Sequence, residues 1–221
     1  MNIPKPEAVI FDMDGLLVDS ERQSRKASQR AAAEFGYEIT DDLYLEMVGR
    51  APDEIYQLFL DTFGNDFPLE GYQKHRNRFL KAIEQEQGVP FQPGVQSILT
   101  YLGALEMTCS VVTNSKREDA EARLNGIRKN FHSITARDEA RRNKPHPDPY
   151  LLAVSKLKLD SAKCLVLEDT DTGALAAHAA GINVIIVPDL KQPSKEAAGK
   201  AIAVCNSLIE VEKLFRKSWG Q

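Results

Sequence analysis

Four short apolar runs, each followed by turn residues or a helical pattern, constrain the fold of this chain most strongly. They cover residues 8–11, 109–112, 164–167 and 184–187, and a weaker fifth run covers residues 201–204. Because the runs are apolar on both faces and rich in β-branched residues, they are typical of central strands in a parallel sheet covered by helices. The alternation of strands and helices predicts a doubly wound α/β core, whose ligands lie beyond the carboxyl ends of the strands.

A long insertion interrupts this predicted sheet. Residues 12–108 separate the first two runs, far more than a single crossover requires. Helical periodicity covers residues 20–38, 41–48, 52–63 and 70–87, with no strand pattern between them. We therefore predict an α/β core domain of residues 1–19 and 89–221, and an all-helical cap domain of residues 20–88 that acts as a lid.

Composition narrows the classes of partner. The formal net charge of −4 argues against nucleic acid and anionic membranes, which reward a basic face. No apolar run has the length of a membrane span and the first residues do not resemble a secretion signal, so we expect a soluble, cytoplasmic protein. The core and cap are self-contained, which permits a monomer. Cys109, Cys164 and Cys205 form no metal or disulfide pattern and are expected to be buried and reduced.

Acidic residues follow two of the predicted strands. Asp12 and Asp14 come directly after the first run, with Gly15 for a sharp turn, and Glu168-Asp169 follows the third run. Each pair has a simpler interpretation as an acidic turn or a helix cap. Together, however, they place several carboxylates at one sheet edge, where mutual repulsion favours a bound cation. Oxygen ligands with open positions favour Mg²⁺ over Ca²⁺.

Two further segments could hold an anion at the same edge. Thr113-Asn114-Ser115 follows the second run, where a hydroxyl and main-chain amides can meet a phosphate. Ser115 and Glu118 have the spacing of a capping box, which favours a structural role for Ser115 and leaves Thr113 as the better phosphate contact. Lys144 precedes Pro145 in a proline-stiffened loop, which favours a fixed phosphate anchor over a solvated surface lysine.

The order of these motifs resembles that of the haloacid dehalogenase superfamily, in particular its phosphatases similar to β-phosphoglucomutase. The resemblance covers nearly the whole chain and implies a Rossmann-like core with a helical cap. It implies that Asp12 attacks phosphorus, that Asp14 protonates the leaving alcohol and then activates water, and that Thr113, Asn114 and Lys144 hold the phosphoryl oxygens. It also implies a Mg²⁺ site formed by Asp12, the Asp14 carbonyl and Asp169, with Glu168 beside them.

The resemblance extends into the cap with one departure. Ser24 stands where β-phosphoglucomutase has a histidine, which weakens the mutase interpretation. Gly49-Arg50 resembles the substrate-specificity loop of the family, and Lys74-His75-Arg76 lies where relatives place a basic substrate contact. A solvated helical face is the alternative, favoured for Lys74 and His75 and equally weighted for Arg50 and Arg76.

Three functions remain open at this point. The leading hypothesis is a Mg²⁺-dependent phosphatase acting on a small phosphorylated metabolite such as a sugar phosphate. A phosphomutase would return the phosphoryl group to a sugar before water intercepts it. A binding protein that kept the fold without turnover is disfavoured, because binding alone does not require a nucleophile beside an acid.

Overall fold

The computed structural model describes residues 3–50 and 52–220 and divides into two compact units. The core unit consists of Met1–Val18 and Phe91–Gln221, and the helical unit consists of Asp19–Pro90. The helical unit contains α1 (Glu21–Ala33), α2 (Asp41–Met47), α3 (Pro52–Phe63) and α4 (Leu69–Gln87). The core unit contains helices α5 (Val95–Ala104), α6 (Arg117–Leu124), α7 (Asp148–Leu157), α8 (Asp171–Ala179), α9 (Lys195–Lys200) and α10 (Leu208–Trp219). Its strands are β1 (Ala8–Phe11), β2 (Thr108–Val112), β3 (Ser133–Thr135), β4 (Cys164–Glu168), β5 (Asn183–Ile186) and β6 (Ala203–Val204).

The six strands form one parallel sheet in the order β3-β2-β1-β4-β5-β6, which confirms the predicted doubly wound α/β fold. β1 lies in the interior of the sheet, and Phe11 is in register with Val111 of β2 and Leu167 of β4. The residues that follow these three strands therefore emerge at the same edge. β3 was not predicted, because its sequence Ser133-Ile134-Thr135 is short and carries one large apolar residue.

Both faces of the sheet are covered. Successive side chains of a strand point to opposite faces, and all four residues of β1 have no exposed surface. Ala8 and Ile10 belong to a core cluster with Tyr150 of α7 and Ala177 of α8, and the Phe11 ring packs edge-on against Phe131 at 5.9 Å. This two-sided burial explains why the strands read as continuous apolar runs. The three cysteines are buried and unbridged, as predicted.

The loop that follows β1 is fixed by main-chain contacts within the core unit. The Gly15 N–H donates to the carbonyl of Val18 at 2.9 Å, and Gly15 adopts a φ of 85°, which favours glycine. Gln92 donates from its main chain to Leu17 and from its side chain to the Gly15 carbonyl, both at 3.0 Å. Val18 also pairs with Phe91 in an antiparallel bridge. The first acidic segment is therefore held in a defined turn.

The helical unit is built around the packing of α1 on α4 and an aromatic cluster. Phe59, Phe63, Phe67 and Tyr72 have ring centroids within 4.9–5.9 Å of their neighbours in the cluster. α1 ends at Ala33, five residues before the predicted residue 38, and Gly36 follows with a φ of 80°. Within the described residues, no helix combines the length and the apolar character that crossing a membrane requires.

Candidate active site

Asp12 occupies the position directly after β1 and is 7% exposed. Its main-chain N–H donates to the carbonyl of Leu167 at 2.9 Å, which extends the pairing of β1 with β4 by one residue. One oxygen of its side chain accepts a hydrogen bond from Lys144 Nζ. The sheet thus holds a carboxylate at its edge, in contact with a buried cation.

Lys144 is the centre of a buried ion-pair cluster. Its side chain is 3% exposed, and Nζ donates to Asp12, to Glu168 Oε1 at 2.6 Å and to the carbonyl of Val112 at 3.0 Å. The following peptide bond to Pro145 is cis. The structure therefore brings the predicted lysine against the two predicted acidic segments, at the end of β2.

Glu168 is completely buried and accepts hydrogen bonds on both carboxylate oxygens. Oε1 accepts from Lys144 and from the Tyr150 hydroxyl at 2.8 Å. Oε2 accepts from the Asp169 N–H at 3.0 Å, and from the Thr170 N–H and hydroxyl at 3.1 and 3.0 Å. A buried carboxylate with this many donors is a rigid group that fixes Lys144 and the start of α8.

The charged groups of the cluster shift one another's pKa values. Burial alone would lower the pKa of Lys144, but the carboxylates of Asp12 and Glu168 raise it well above its ordinary value. Burial acts to raise the pKa of Glu168, and the charge and hydrogen bonds of Lys144 outweigh it and lower that pKa. Burial and the neighbouring Glu168 carboxylate raise the pKa of Asp12 well above its usual range, against the opposing effect of Lys144.

The donor set at this edge fits a hard cation. Asp12, Glu168 and Asp169 are all buried, and each offers one carboxylate oxygen so that the three atoms lie within 4.8 Å of one another. Lys144 pairs with two of these three carboxylates, so an additional positive charge would reduce the repulsion that remains. Oxygen-only ligands are those that Mg²⁺ binds in proteins.

Two glycines make room for these carboxylates. A Cβ atom on Gly15 would lie 2.1 Å from Asp169 Oδ2, and one on Gly173 would lie 1.6 Å from Glu168 Oε1. No side chain fits at these distances, so the main chain of each segment can approach an acidic group closely only because it lacks a Cβ. The acidic residues are therefore set into a close-fitting frame.

Asp14 lies in a polar cluster with residues that follow β2. Its Oδ2 accepts hydrogen bonds from the Ser115 hydroxyl at 2.7 Å and the Thr113 hydroxyl at 3.2 Å. Its Oδ1 accepts from Arg123 Nη1 at 2.6 Å. Thr113, predicted as a phosphate contact, is 1% exposed and lies at the same strand end as Asp14.

The capping-box prediction for Ser115 is wrong. α6 begins at Arg117 with Lys116 as its N-cap residue, and the Arg117 N–H donates to Asp138 Oδ1 at 3.1 Å. Because a side chain from a distant segment satisfies this helix end, the Ser115 hydroxyl is available to Asp14. Ser115 is thus part of the site and not of the helix cap.

Asn114 holds the lysine loop through its side chain. Its Nδ2 donates to the carbonyl of Lys144 at 3.4 Å, and its Oδ1 accepts from the Lys144 N–H at 3.3 Å. These long contacts orient the loop against the end of β2. They engage both polar atoms of the Asn114 side chain with the lysine loop.

In the helical unit, the predicted specificity residues line one cavity of about 310 Å³. Gly49, Arg50 and Arg76 are among its lining residues. Arg76 is held by Ser24 and Ser28, with distances of 2.6 Å from Nη2 and 3.2 Å from Nε to the two hydroxyl oxygens. The guanidinium of Arg76 is therefore oriented and not a solvated group on a helical face.

The other basic residues that the sequence analysis singled out in this unit lie in different surroundings. Arg50 is exposed and forms a 3.7 Å ion pair with Glu46. His75 contacts Glu34, which also pairs with Arg78 at 3.3 Å, and Lys74 is exposed. The surroundings of Arg76 thus differ from those of Lys74 and His75, the two basic residues that precede it.

Sequence reasoning missed two residues that contact this site. Tyr150 donates to Glu168 from α7, and Arg123 contacts Asp14 from the last turn of α6. The position of Tyr150 six residues after Lys144, at the start of a helix, is the one signal that could have indicated it. Nothing in the local pattern of α6 distinguishes Arg123 from a solvated helical arginine.

Comparisons with known proteins identify the family of the chain. The sequence matches the family of haloacid dehalogenase-like hydrolases over residues 9–187. A phosphorylated carbohydrates phosphatase of Thermotoga maritima is 30% identical over 181 residues, covering 81% of this chain and 83% of that protein. The fructose-1-phosphate phosphatase YqaB of Escherichia coli is 28% identical, covering 81% of this chain and 95% of that protein.

A solved structure supports the same assignment. A hydrolase of the haloacid dehalogenase family from Deinococcus radiodurans, with bound phosphate and sodium, superposes with a TM-score of 0.80. It is 26% identical, and the match covers 97% of each chain. The parallel sheet, the acidic edge and these relatives together show that the chain belongs to the haloacid dehalogenase-like hydrolase family, as one of its phosphatases.

Proposed function

We propose that this phosphatase hydrolyses a small phosphorylated metabolite, such as a sugar phosphate, with a divalent cation and a transient aspartyl-phosphate on Asp12. The observation that supports the proposal most strongly is that the Asp12, Glu168 and Asp169 carboxylates meet at one sheet edge, where Lys144 pairs with the first two. The relatives named for carbohydrate phosphates and for fructose 1-phosphate support this class of substrate.

In this proposal the phosphoryl group transfers twice. The Asp12 carboxylate attacks phosphorus, the bond from phosphorus to the leaving oxygen breaks, and that oxygen takes a proton from Asp14. Water then attacks phosphorus and gives a proton to Asp14, while the bond between phosphorus and Asp12 breaks. Inorganic phosphate leaves, and both aspartates return to their starting forms. A single carboxyl group can act first as acid and then as base because it ends the first step deprotonated.

The remaining residues of the site orient and neutralise the phosphoryl group. Lys144 supplies a buried positive charge, and the Asn114 main-chain N–H would donate a hydrogen bond to a phosphoryl oxygen. The Thr113 hydroxyl would do the same by turning its one proton from Asp14 Oδ2, its acceptor in this structure, to the bound group. Glu168 would keep Lys144 in position, since its carboxylate holds the Nζ group at 2.6 Å. Positioning and charge neutralisation are the main requirements of phosphoryl transfer.

Asp12, Asp169 and the Asp14 carbonyl would hold the cation, with Glu168 beside them. The three buried carboxylate oxygens within 4.8 Å of one another are the support for this assignment. A bound Mg²⁺ would neutralise negative charge on the phosphoryl group and on the carboxylates around it.

Removal of divalent cations is expected to abolish activity on 4-nitrophenyl phosphate, and added Mg²⁺ is expected to restore it. Ca²⁺ should restore little, because Mg²⁺ prefers a compact octahedral site that keeps bound water. Phosphate release would be measured after EDTA treatment and dialysis, with thermal unfolding in Mg²⁺ as a binding readout independent of activity. Full activity in the presence of excess EDTA would contradict the metal assignment.

We propose that the cavity of the helical unit contributes to the choice of substrate. Gly49, Arg50 and Arg76 line it, and Arg76 presents an oriented guanidinium there. Burial raises the pKa of the Tyr44 hydroxyl, which donates to Glu21 at 2.8 Å, so this lining group stays neutral. A cavity with hydrogen-bond donors and acceptors beside aromatic rings suits a polyhydroxylated molecule.

Incubation with a hexose 1-phosphate separates hydrolysis from phosphoryl return. We expect inorganic phosphate to accumulate without isomerised sugar phosphate, since Ser24 provides no counterpart to the histidine found in β-phosphoglucomutase. The products would be followed by phosphate assay and by nuclear magnetic resonance of phosphorus. Formation of a hexose 6-phosphate faster than inorganic phosphate would instead establish a phosphomutase. A panel of phosphorylated metabolites would then identify the preferred substrate.

A further inference from the structure

Arg123 is a nearly buried cation that contacts Asp14. It lies in the last turn of α6, and its side chain is 11% exposed. Its Nη1 atom lies 2.6 Å from Asp14 Oδ1 and 3.2 Å from the Ser115 hydroxyl. The same guanidinium nitrogen thus contacts Asp14 and Ser115, and Ser115 itself donates to Asp14.

The contacts of Asp14 divide between its two oxygens. Oδ1 faces Arg123, whereas Oδ2 accepts from Ser115 at 2.7 Å and from Thr113 at 3.2 Å. The Thr113 hydroxyl oxygen also accepts a hydrogen bond from the Ser115 N–H at 2.9 Å, which orients this hydroxyl group. The Thr113 hydroxyl is proposed to hold a phosphoryl oxygen, so Oδ2 is the Asp14 oxygen nearer the phosphoryl site. Arg123 holds the opposite oxygen, Oδ1.

We propose that Arg123 is a positioning residue that, with Ser115, fixes the orientation of the Asp14 side chain for proton transfer. This inference rests on the proposed function of Asp14 as the acid and base of the phosphatase. A carboxylate on a short side chain can rotate, and proton transfer depends on its distance and angle to the reacting oxygen. Arg123 can donate to Oδ1 in both the protonated and the charged form of Asp14. This contact reduces the rotation of the side chain and leaves Oδ2 as the oxygen that carries the proton and faces the phosphoryl site. Arg123 acts through Asp14 and does not itself contact the reacting atoms.

An ion pair that only stabilises the fold would leave a different signature. Loss of such a pair lowers the unfolding temperature, but the folded fraction keeps its rate for every substrate. Loss of a positioning contact instead reduces the rate most where proton donation matters most. Phenyl phosphate has a more basic leaving group than 4-nitrophenyl phosphate and therefore depends more on protonation of the leaving oxygen.

The first test compares Arg123→Gln, Arg123→Lys and the wild type on these two aryl phosphates with Mg²⁺ present. We expect kcat/KM of Arg123→Gln on phenyl phosphate to fall on the order of 10- to 100-fold, and less on 4-nitrophenyl phosphate. Arg123→Lys keeps the charge without the planar guanidinium and should recover part of the loss. Arg128→Gln is the matched control, because Arg128 binds Glu121 and the Phe131 carbonyl instead of Asp14. It should stay within about twofold of the wild type.

A double-mutant cycle with Asp14→Asn gives the decisive comparison, with thermal unfolding recorded for each protein. On 4-nitrophenyl phosphate, adding Arg123→Gln to Asp14→Asn should change kcat/KM by less than about twofold, since the group it positions is already absent. Two results would overturn this inference and leave the proposed function standing. One is a rate within twofold of the wild type for Arg123→Gln on both esters. The other is a loss on adding Arg123→Gln to Asp14→Asn that equals its loss in the wild-type background. A wild type that hydrolyses neither ester would remove the proposed function and this inference with it.

Discussion

Replacing Asp12 with asparagine is expected to lower phosphate release from 4-nitrophenyl phosphate on the order of 10³-fold or more. Asparagine has nearly the same shape but its neutral amide cannot form the acyl phosphate. It retains an oxygen that can accept from Lys144, and Lys144 keeps its ion pair with Glu168. The variant should therefore remain folded, which circular dichroism and thermal unfolding would check.

Asp160→Asn is the matched control for this variant. Asp160 is exposed and precedes the short turn before β4, so the same chemical change there should leave the rate within about twofold of the wild type. If Asp12→Asn kept a tenth or more of the wild-type rate, Asp12 would not be the nucleophile. Trapping of phosphorylated protein at low pH would then identify the residue that is.

Replacing Gly173 with alanine is expected to lower the free energy of unfolding by about 2–3 kcal/mol. The added Cβ would lie 1.6 Å from Glu168 Oε1, so one of the two groups must move. Glu168 is completely buried and is held by Lys144, Tyr150 and the start of α8. Moving its carboxylate away from an added methyl group would break these hydrogen bonds. Urea unfolding followed by fluorescence would measure the free energy of unfolding.

Gly103→Ala provides the comparison within a second helix of the same unit. A Cβ on Gly103 would meet no atom within 4 Å, so the substitution should be neutral or stabilise α5 by up to about 1 kcal/mol. Equal unfolding midpoints for Gly173→Ala and the wild type would show that Glu168 can shift without cost. That result would contradict the claim that the packing around Glu168 leaves no space for an added methyl group.

Much of the core and of its acidic edge could be predicted, because both depend on patterns that are local in sequence. A fully buried parallel strand must be apolar on both faces, so β1, β2, β4 and β5 are visible as short apolar runs. The residues immediately after them are brought to one edge by the parallel arrangement itself. The meeting of Asp12, Lys144 and Glu168 follows from that rule and from the rigid loop before Pro145.

The remaining features depend on contacts between distant segments. Ser115 has the local pattern of a helix cap, but Asp138 binds the first N–H of α6 and the serine turns to Asp14. Arg123 reaches Asp14 across more than a hundred positions of sequence, which no periodicity records. β3 is recognisable only because β2 supplies its hydrogen-bonding partner. In each case a tertiary contact decides the outcome, and the local sequence carries no record of that contact.

The antiparallel pairing of Val18 with Phe91 has a consequence for how such proteins diversify. The two segments of the core unit end at these neighbouring positions, so the core closes on itself whatever polypeptide runs between them. Replacing the intervening segment with one of another length changes the entropic cost of closing the loop only slightly, because that cost grows slowly with length. Under the proposal that the helical unit contributes to the choice of substrate, replacing that unit would change the substrate while leaving the residues at the sheet edge in place.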